Sequence, residues 1–180
     1  IRYLHNSNNV GVSGAYNHAC RVADEMKCSW MLLLDHDTTF KSDLLEEFIN
    51  QKDNSDTQLL VPQVFYHNKK ISPLSNQIIN SGMFISTKLF KEVGGYNEEL
   101  RLDYSDVEFI GRLKKLSDEF IELESRVDHL LNFYSNTFAN AMHRFSIFLE
   151  DAHSYKDITG NIGVVNKDIF RRTMKLTMLH

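Results

Sequence analysis

An α/β fold is predicted from two observations: strand-like and helix-like segments alternate, and a fully apolar run ends in an acidic residue. Residues 30–34 form this run, which is typical of a parallel strand buried on both faces. Apolar residues recur at helical spacing over residues 42–50, and residues 59–65 return to strand character. This β-α-β order favours a mostly parallel sheet, in which ligands bind beyond the carboxyl ends of the strands.

The other elements are predicted from turn residues and helix boundaries. Ser42 is placed to cap the helix that follows it, and Gly94 with Gly95 is placed to end a short helix. A turn cluster at residues 6–14 leads into a helix of about three turns. The remaining expected elements are strands at residues 1–5 and 78–86 and helices at residues 88–93 and 105–116.

One core domain with an appended tail is expected. The 180 residues, of which 42% are hydrophobic, are enough for a packed core. A helical tail starts near Ser135, so we predict a core over residues 1–134 and a C-terminal helical extension over residues 135–180. Because the chain starts at Ile1, inside a strand-like run, we also expect that a segment precedes it.

Charge and cysteine content narrow the class of protein. With 20 Lys and Arg against 24 Asp and Glu, the chain lacks the concentrated positive charge that nucleic-acid binding requires. No run reaches the roughly 20 apolar residues of a membrane span, which favours a cytoplasmic location. Cys20 and Cys28 are placed about 12 Å apart on one helix, too far for a disulfide, and are expected as buried free thiols.

The triplet Asp35-His36-Asp37 directly follows the apolar strand. Carboxylates confined at the mouth of a sheet repel each other unless a cation neutralises them, and oxygen ligands suit Mg²⁺ or Mn²⁺ bridging a diphosphate. The alternative is a polar turn in which an aspartate bonds its own backbone. The residues alone leave both interpretations open.

A second acidic cluster stands at the entrance to the helix over residues 105–116. Ser105 and Glu108 have the spacing of a capping box, and acids in a first helical turn are favoured by the helix dipole. Asp106, held ionised by the helix amides, would instead suit a base that accepts a proton from a sugar hydroxyl. Asp103 completes the cluster.

Two further positions each allow two interpretations. Gly82 follows an apolar run, where small residues allow close approach of a substrate to the backbone or a tight strand crossing. His129 would complete a metal site with Asp37, or it is a hydrogen-bonded structural histidine.

The order of four motifs resembles glycosyltransferase family 2, most closely its bacterial rhamnosyltransferase-like members, over about residues 6–129. The motifs are residues 9–17, residues 33–37, residues 80–85 with 93–98, and residues 102–108 with Arg112. The resemblance implies a GT-A (Rossmann-like) three-layer sandwich. The two opening strands of the family, with their Thr-Tyr-Asn-like and Asp-Asn-x-Ser-like turns, are not found in this sequence, so the fold is expected to be incomplete at its N-terminus.

The resemblance also implies an activity and its residues. It implies an inverting, Mg²⁺- or Mn²⁺-dependent transfer of a hexosyl or deoxyhexosyl group from a nucleotide-sugar donor to a glycan or lipid-linked acceptor in bacterial polysaccharide synthesis. Asp106 matches the catalytic base, and Asp37 is the more direct metal ligand. The resemblance places Asn9, Gly11 and Asn17 near the donor nucleotide and matches Asp35 and Asp37 to the Asp-x-Asp element. Together with the positions above, the expected donor-binding residues are Asn9, Gly11, Asn17, Asp35, His36 and Asp37, the acceptor-binding residues Gly82, Asp103 and Glu108, and the metal ligands Asp37, Asp35 and His129.

Alternatives remain for the whole chain and for its tail. The missing opening strands allow a non-catalytic glycosyltransferase-like fragment or interaction module, whereas a nucleotidyltransferase is disfavoured because no Gly-rich loop with its Lys is evident. In the tail, apolar residues share a helical face with basic residues nearby. This face allows three interpretations: contact with anionic lipid at the inner face of the cytoplasmic membrane, contact with the second subunit of a homodimer, or packing on the same domain. These tail residues are Phe170, Met174, Thr177 and Met178, with Arg171, Arg172 and Lys175.

Overall fold

The structure, a computed structural model, describes residues 3, 5, 7–53, 56–66, 68–71, 80–117, 119–129 and 138–178. Within these ranges the strands are β1 (Trp30–Leu33), β2 (Thr38–Phe40), β3 (Leu59–Tyr66), β4 (Lys69–Ile71), β5 (Met83–Ser86) and β6 (Ile121–His129). The helices are α1 (Gly11–Glu25), α2 (Asp43–Lys52), α3 (Thr87–Val93), α4 (Ser105–Leu116), α5 (Phe138–Thr159) and α6 (Ile162–Met178).

The chain divides into two compact units. The first comprises Ile1–Asn17, Tyr96–Ser105 and Tyr134–His180, and the second comprises His18–Gly95 and Asp106–Phe133. All six described strands belong to the second unit, and α5 and α6 belong to the first. The division into a core over residues 1–134 and an extension over residues 135–180 stays a prediction.

The sheet is mixed, so the expectation of a mostly parallel sheet is wrong. Its strand order is β1-β5-β3-β6-β2, and β4 pairs with the remaining edge of β3. Among the described pairs, β3 with β6 is the parallel one, and the other four are antiparallel. Alternation of strands and helices predicted the elements but not their direction, because strands distant in sequence can pair either way.

The helix boundaries follow the sequence closely. The helix α4 covers residues 105–116 as predicted, and α2 and α3 begin or end within two residues of the expected positions. Gly94 ends α3 in the left-handed conformation at φ 90°, with backbone bonds to Lys91 and Phe90 that close the last turn. The predicted cap of Ser42 is wrong, since its backbone is helical and its side chain makes no capping bond.

Other expectations on local structure have mixed outcomes. The strand β1 alternates between buried and half-buried residues rather than being buried on both faces. Cys20 is a buried free thiol as expected, but Cys28 is exposed because α1 ends at Glu25, before it. Most of the predicted strand at residues 1–5, and residues 78 and 79 of another, lie outside the described residues.

The core of the second unit forms between α2 and the sheet. Phe48 of α2 stacks on Phe84 of β5, with ring centroids 4.0 Å apart and planes at 5°. Leu44 of the same helix is fully buried against Leu123 and Val127 of β6. Burial of one such side chain contributes about 1.5–3 kcal/mol, so this core holds β5 and β6 in place beside β3.

In the first unit, α5 holds the loop that enters α4. The carboxylate of Asp151 accepts the backbone N–H groups of three consecutive residues, Arg101 at 2.9 Å, Leu102 at 2.8 Å and Asp103 at 2.6 Å. Tyr104 follows at φ 59° and stacks on Tyr155 of α5 with ring centroids 4.7 Å apart. A loop with three donors aligned on one buried carboxylate is therefore fixed by a helix about 50 residues later in the chain.

The C-terminal region is helical, as predicted. Gly160, at φ 69°, separates α5 from α6. No described helix combines the length and apolar character that crossing a bilayer requires.

Candidate active site

The pairing of β2 with β6 brings the acidic triplet to a histidine far away in sequence. The triplet connects β1 to β2, and the carbonyl of Asp35 accepts the N–H of Thr38 at 3.2 Å. Thr38 then lies opposite His129 in the antiparallel pair. The triplet thus lies in a turn closed by a backbone hydrogen bond, and this turn presents its two carboxylates to His129.

Asp35, Asp37 and His129 form a cluster in which the possible ligand atoms all lie within 4.8 Å of one another. His129 Nδ1 lies 3.5 Å from Asp37 Oδ1, and the two side chains are 4% and 14% exposed. Two carboxylates and one imidazole form a donor set that suits a divalent cation such as Mn²⁺. His36 is exposed and does not belong to the cluster.

Two hydroxyl groups that the sequence did not single out orient this cluster. Ser81 Oγ donates to Asp35 Oδ2 at 2.5 Å and lies 3.1 Å from His129 Nδ1. Thr38 Oγ1 lies 3.1 Å from the same nitrogen. Ser81 stands in one of the four motifs, but its role depends on a contact 46 residues away that no local pattern indicates.

A tight turn places Ser81. Met83 N–H donates to Asn80 O at 3.0 Å, and Gly82 N–H donates to Leu33 O at 2.8 Å, which ties the turn to the end of β1. Gly82 has φ +86°, and a Cβ there would lie 2.7 Å from Pro62 Cγ. The backbone therefore requires glycine at this position, while its acceptor-binding role stays a prediction.

Asp106 is linked to the same turn through Asn80. Asn80 Nδ2 donates to Asp106 Oδ1, from a side chain that is 1% exposed, whereas Asp106 is half-buried in the first turn of α4. Asn80 Oδ1 is buried and has no hydrogen-bond partner in the described part of the chain. A buried carbonyl left without a partner costs about 1–3 kcal/mol. The adjacent residues Asn80 and Ser81 thus bind Asp106 and Asp35 respectively.

Two acidic acceptor candidates are engaged in ion pairs. Glu108 is buried and binds Arg112 through Nε at 2.6 Å and Nη2 at 2.7 Å. In the first unit, Asp103 binds Arg144 of α5 and Arg172 of α6, the latter at 2.9 Å. A substrate hydroxyl would compete with these guanidinium groups, and the acceptor-binding roles stay predictions.

The three remaining donor candidates lie in the first unit. Asn9 Oδ1 accepts the N–H of Gly11 at 3.0 Å, and Gly11 has φ +72° with no room for a Cβ beside Arg101 O, which would be 2.4 Å away. Asn17 holds the backbone of Tyr96 through both its N–H, at 2.8 Å, and its carbonyl, at 2.9 Å. These contacts account for the three residues structurally, and their donor-binding roles stay predictions.

The structure thus joins four of the candidate residues within the second unit. Asp35, Asp37 and His129 form the cluster, and Asp106 is connected to it through Asn80 and Ser81. We call these four residues with the Asn80-Ser81 pair the candidate active site. A cation held by two carboxylates and an imidazole would bind a diphosphate, and a further carboxylate at a helix start can accept a proton.

Several solved structures share the fold of this chain. S. aureus TarS 1-349 in complex with UDP matches with a TM-score of 0.55 and 13% identity, covering 84% of this chain and 47% of that one. S. aureus TarS 1-349 matches with a TM-score of 0.55 and 14% identity, covering 88% and 55%. GalNAc-T7 with UDP, GalNAc and Mn²⁺ matches with a TM-score of 0.52 and 13% identity, covering 94% and 42%. These likenesses show the mixed α/β GT-A fold, and the chain spans about half the length of these structures.

The family follows from the sequence itself. The profile described as Glycosyl transferase family 2 matches residues 1–120, two thirds of the chain. A comparison of the sequence with curated proteins finds no match. The chain belongs to glycosyl transferase family 2.

Proposed function

We propose that this chain is the catalytic core of an inverting, metal-dependent glycosyltransferase that moves a hexosyl or deoxyhexosyl group from a nucleotide-sugar to a glycan or lipid-linked acceptor. A rhamnosyltransferase-like role in bacterial polysaccharide synthesis is the specific form of this proposal. The observation that carries it is the convergence of Asp35, Asp37 and His129 within 4.8 Å, connected through Ser81 and Asn80 to Asp106. The family assignment supports it.

The cluster fits a divalent cation by its chemistry. Two half-buried carboxylates beside a buried imidazole would repel each other less with a cation between them, and oxygen with nitrogen ligands suits Mn²⁺ or Mg²⁺. Such an ion supplies positive charge that stabilises the departing nucleoside diphosphate. Asp35, Asp37 and His129 are the residues that would hold it.

The reaction itself requires one proton acceptor from the chain. Asp106 takes the proton of the acceptor hydroxyl while the hydroxyl oxygen forms a bond to the anomeric carbon of the donor sugar. The bond from that carbon to the diphosphate oxygen breaks, and its electron pair leaves with the nucleoside diphosphate. Displacement from the opposite side inverts the anomeric configuration without a covalent enzyme intermediate.

Release of nucleoside diphosphate from a panel of nucleotide-sugars, with Mn²⁺ present, tests the proposal. We expect Asp106→Asn to lower kcat by about 10²- to 10⁴-fold, the usual contribution of a general base. Asp24→Asn is the matched control, because it removes an exposed carboxylate of the same unit that forms a salt bridge with the exposed Lys91. Equal turnover by wild type and Asp106→Asn would remove Asp106 as the base.

Calorimetry separates an enzyme from a non-catalytic scaffold. We expect nucleoside diphosphate to bind in the presence of Mn²⁺ and to lose affinity when Asp37→Asn removes one ligand of the cluster. Binding that is absent, or that is independent of Mn²⁺ and of Asp37, would favour an interaction module instead.

The helix α6 has apolar and basic side chains exposed side by side. Phe170 and Met174 are 66% and 41% exposed, and the neighbouring Arg171 is exposed, whereas Arg172 is half-buried on Asp103. We propose that this apolar and basic surface rests on anionic lipid at the cytoplasmic face of the membrane. Flotation with anionic liposomes should fall for Phe170→Ser. Equal flotation, with a concentration-dependent dimer in solution, would assign the surface to a second copy of the chain.

A further inference from the structure

Asn80 is the buried polar residue of the candidate active site whose hydrogen bonding is incomplete. Its Nδ2 donates to Asp106 Oδ1, and its Oδ1 has no partner among the described residues. Proteins rarely leave a buried amide oxygen in this state without a functional reason. The oxygen and nitrogen sit on the same carbon, so the unsatisfied atom lies beside the contact with Asp106.

The orientation of the amide is dictated by Asp106. Turning the Asn80 amide over would place its oxygen against the carboxylate, which is repulsive, and would lose the bond to an ionised acceptor. The side chain therefore keeps the hydrogen bond from its Nδ2 to Asp106, and its Oδ1 stays without a partner among the described residues.

The backbone of Asn80 is fixed independently of Asp106. Its carbonyl accepts the Met83 N–H at 3.0 Å, the following Ser81 is bonded to Asp35 at 2.5 Å, and Gly82 N–H is bonded to Leu33 O at 2.8 Å. These contacts hold the turn to β1 and to the cluster of Asp35, Asp37 and His129. Because the backbone of Asn80 is fixed in this way, its side-chain donor can determine where the carboxylate of Asp106 lies.

We propose that Asn80 is a positioning residue for Asp106. Its amide binds one oxygen of the carboxylate from a turn that is also bonded to Asp35, so that the base is oriented when an acceptor hydroxyl arrives. This inference rests on the proposed role of Asp106 as base. Asn80 acts through Asp106 and not on the substrate.

The variant Asn80→Leu tests the inference, because leucine has nearly the same shape but offers neither the donor nor the unsatisfied carbonyl. We expect kcat to fall about 10- to 100-fold, as misplacement of a catalytic group does, with KM for the donor and the affinity for Mn²⁺ unchanged. The midpoint of thermal unfolding should not fall, because a buried carbonyl without a partner is removed together with the bond to a half-buried carboxylate. Ser86→Ala is the control, since it removes the buried cap of α3 and should lower the unfolding midpoint without changing kcat.

A double-mutant cycle then distinguishes positioning from a structural role. In the Asp106→Asn background, Asn80→Leu should change the residual kcat by less than about twofold, because the group it positions is already gone. An equal loss in both backgrounds, or a wild-type kcat for Asn80→Leu alone, would overturn the inference. Asn80→Ala, which also removes the donor and adds no charge, should lower kcat as well and serves if the leucine variant fails to fold.

The two proposals fail in different ways. A wild-type kcat for Asp106→Asn would reject Asp106 as base, and the positioning role of Asn80 with it. Loss of turnover in Asp106→Asn together with full turnover in Asn80→Leu and Asn80→Ala would leave the proposed function standing and reject only the role of Asn80.

Discussion

Replacement of Asp151 should destabilise the first unit far more than its single charge suggests. Its carboxylate is 1% exposed and accepts three backbone N–H groups, so Asp151→Ala leaves all three without their acceptor. Each unsatisfied buried donor costs about 1–3 kcal/mol, and with partial access of water we expect a total loss of about 3–5 kcal/mol. At about 2–4 °C per kcal/mol for a chain of this size, the midpoint of thermal unfolding should fall by about 6–20 °C.

The asparagine variant gives a graded test of the same contact. Oδ2 of Asp151 accepts from Leu102 and Asp103, and Oδ1 accepts from Arg101. The amide of Asp151→Asn keeps only one acceptor oxygen, so we expect about half of the loss seen with alanine.

Thermal unfolding followed by circular dichroism measures both variants, with Asp157→Asn as the control. Asp157 lies on the same helix and is exposed, so its replacement should leave the midpoint within about one degree. If Asp151→Ala lowered the midpoint no more than this control, the three backbone bonds would contribute nothing measurable and the reasoning would be refuted.

Three further outcomes are expected. Gly82→Ala should lower the unfolding midpoint because its φ is +86° and its Cβ would meet two side chains, whereas Gly111→Ala, a helical position with open space, should leave it unchanged or raise it. Ser81→Ala should weaken Mn²⁺ binding about 10- to 100-fold in calorimetry, as loss of a residue that orients metal ligands does; unchanged affinity would contradict that role. Cys28 is exposed, whereas burial raises the pKa of the Cys20 thiol, so maleimide at neutral pH should modify one cysteine per chain, and mass spectrometry should find it at Cys28.

The sequence was most informative where local chemistry decides the structure. The helix over residues 105–116 and the stop at Gly94 depend on neighbours within one or two turns, and both are confirmed. The position of Asp35 after a strand is likewise a local property. The sequence position of His129 allowed two interpretations, a metal ligand or a structural histidine. The structure places it beside Asp37, and its metal-binding role stays a prediction.

The features that the sequence did not predict depend on pairing between segments that are distant in the chain. The directions of the strands depend on which distant partners they meet, so the mixed sheet did not follow from alternation. Thr38, Ser81 and Asn80 obtain their roles only when β2 meets β6 and the turn before β5 meets α4. The half-buried polar contacts of an active site are therefore the part that local patterns predict least.

The way Asp151 holds residues 101–103 bears on the order in which the protein folds during synthesis. The first unit is assembled from three separate stretches of chain, and its last stretch includes α5 and α6. Until Asp151 has left the ribosome, the N–H groups of residues 101–103 lack the carboxylate that accepts their hydrogen bonds in the folded protein. The second unit, whose sequence ends at Phe133, can be completed earlier. We expect a nascent chain stalled before α5 to protect the sheet from proteolysis while the loop ahead of α4 is still cut.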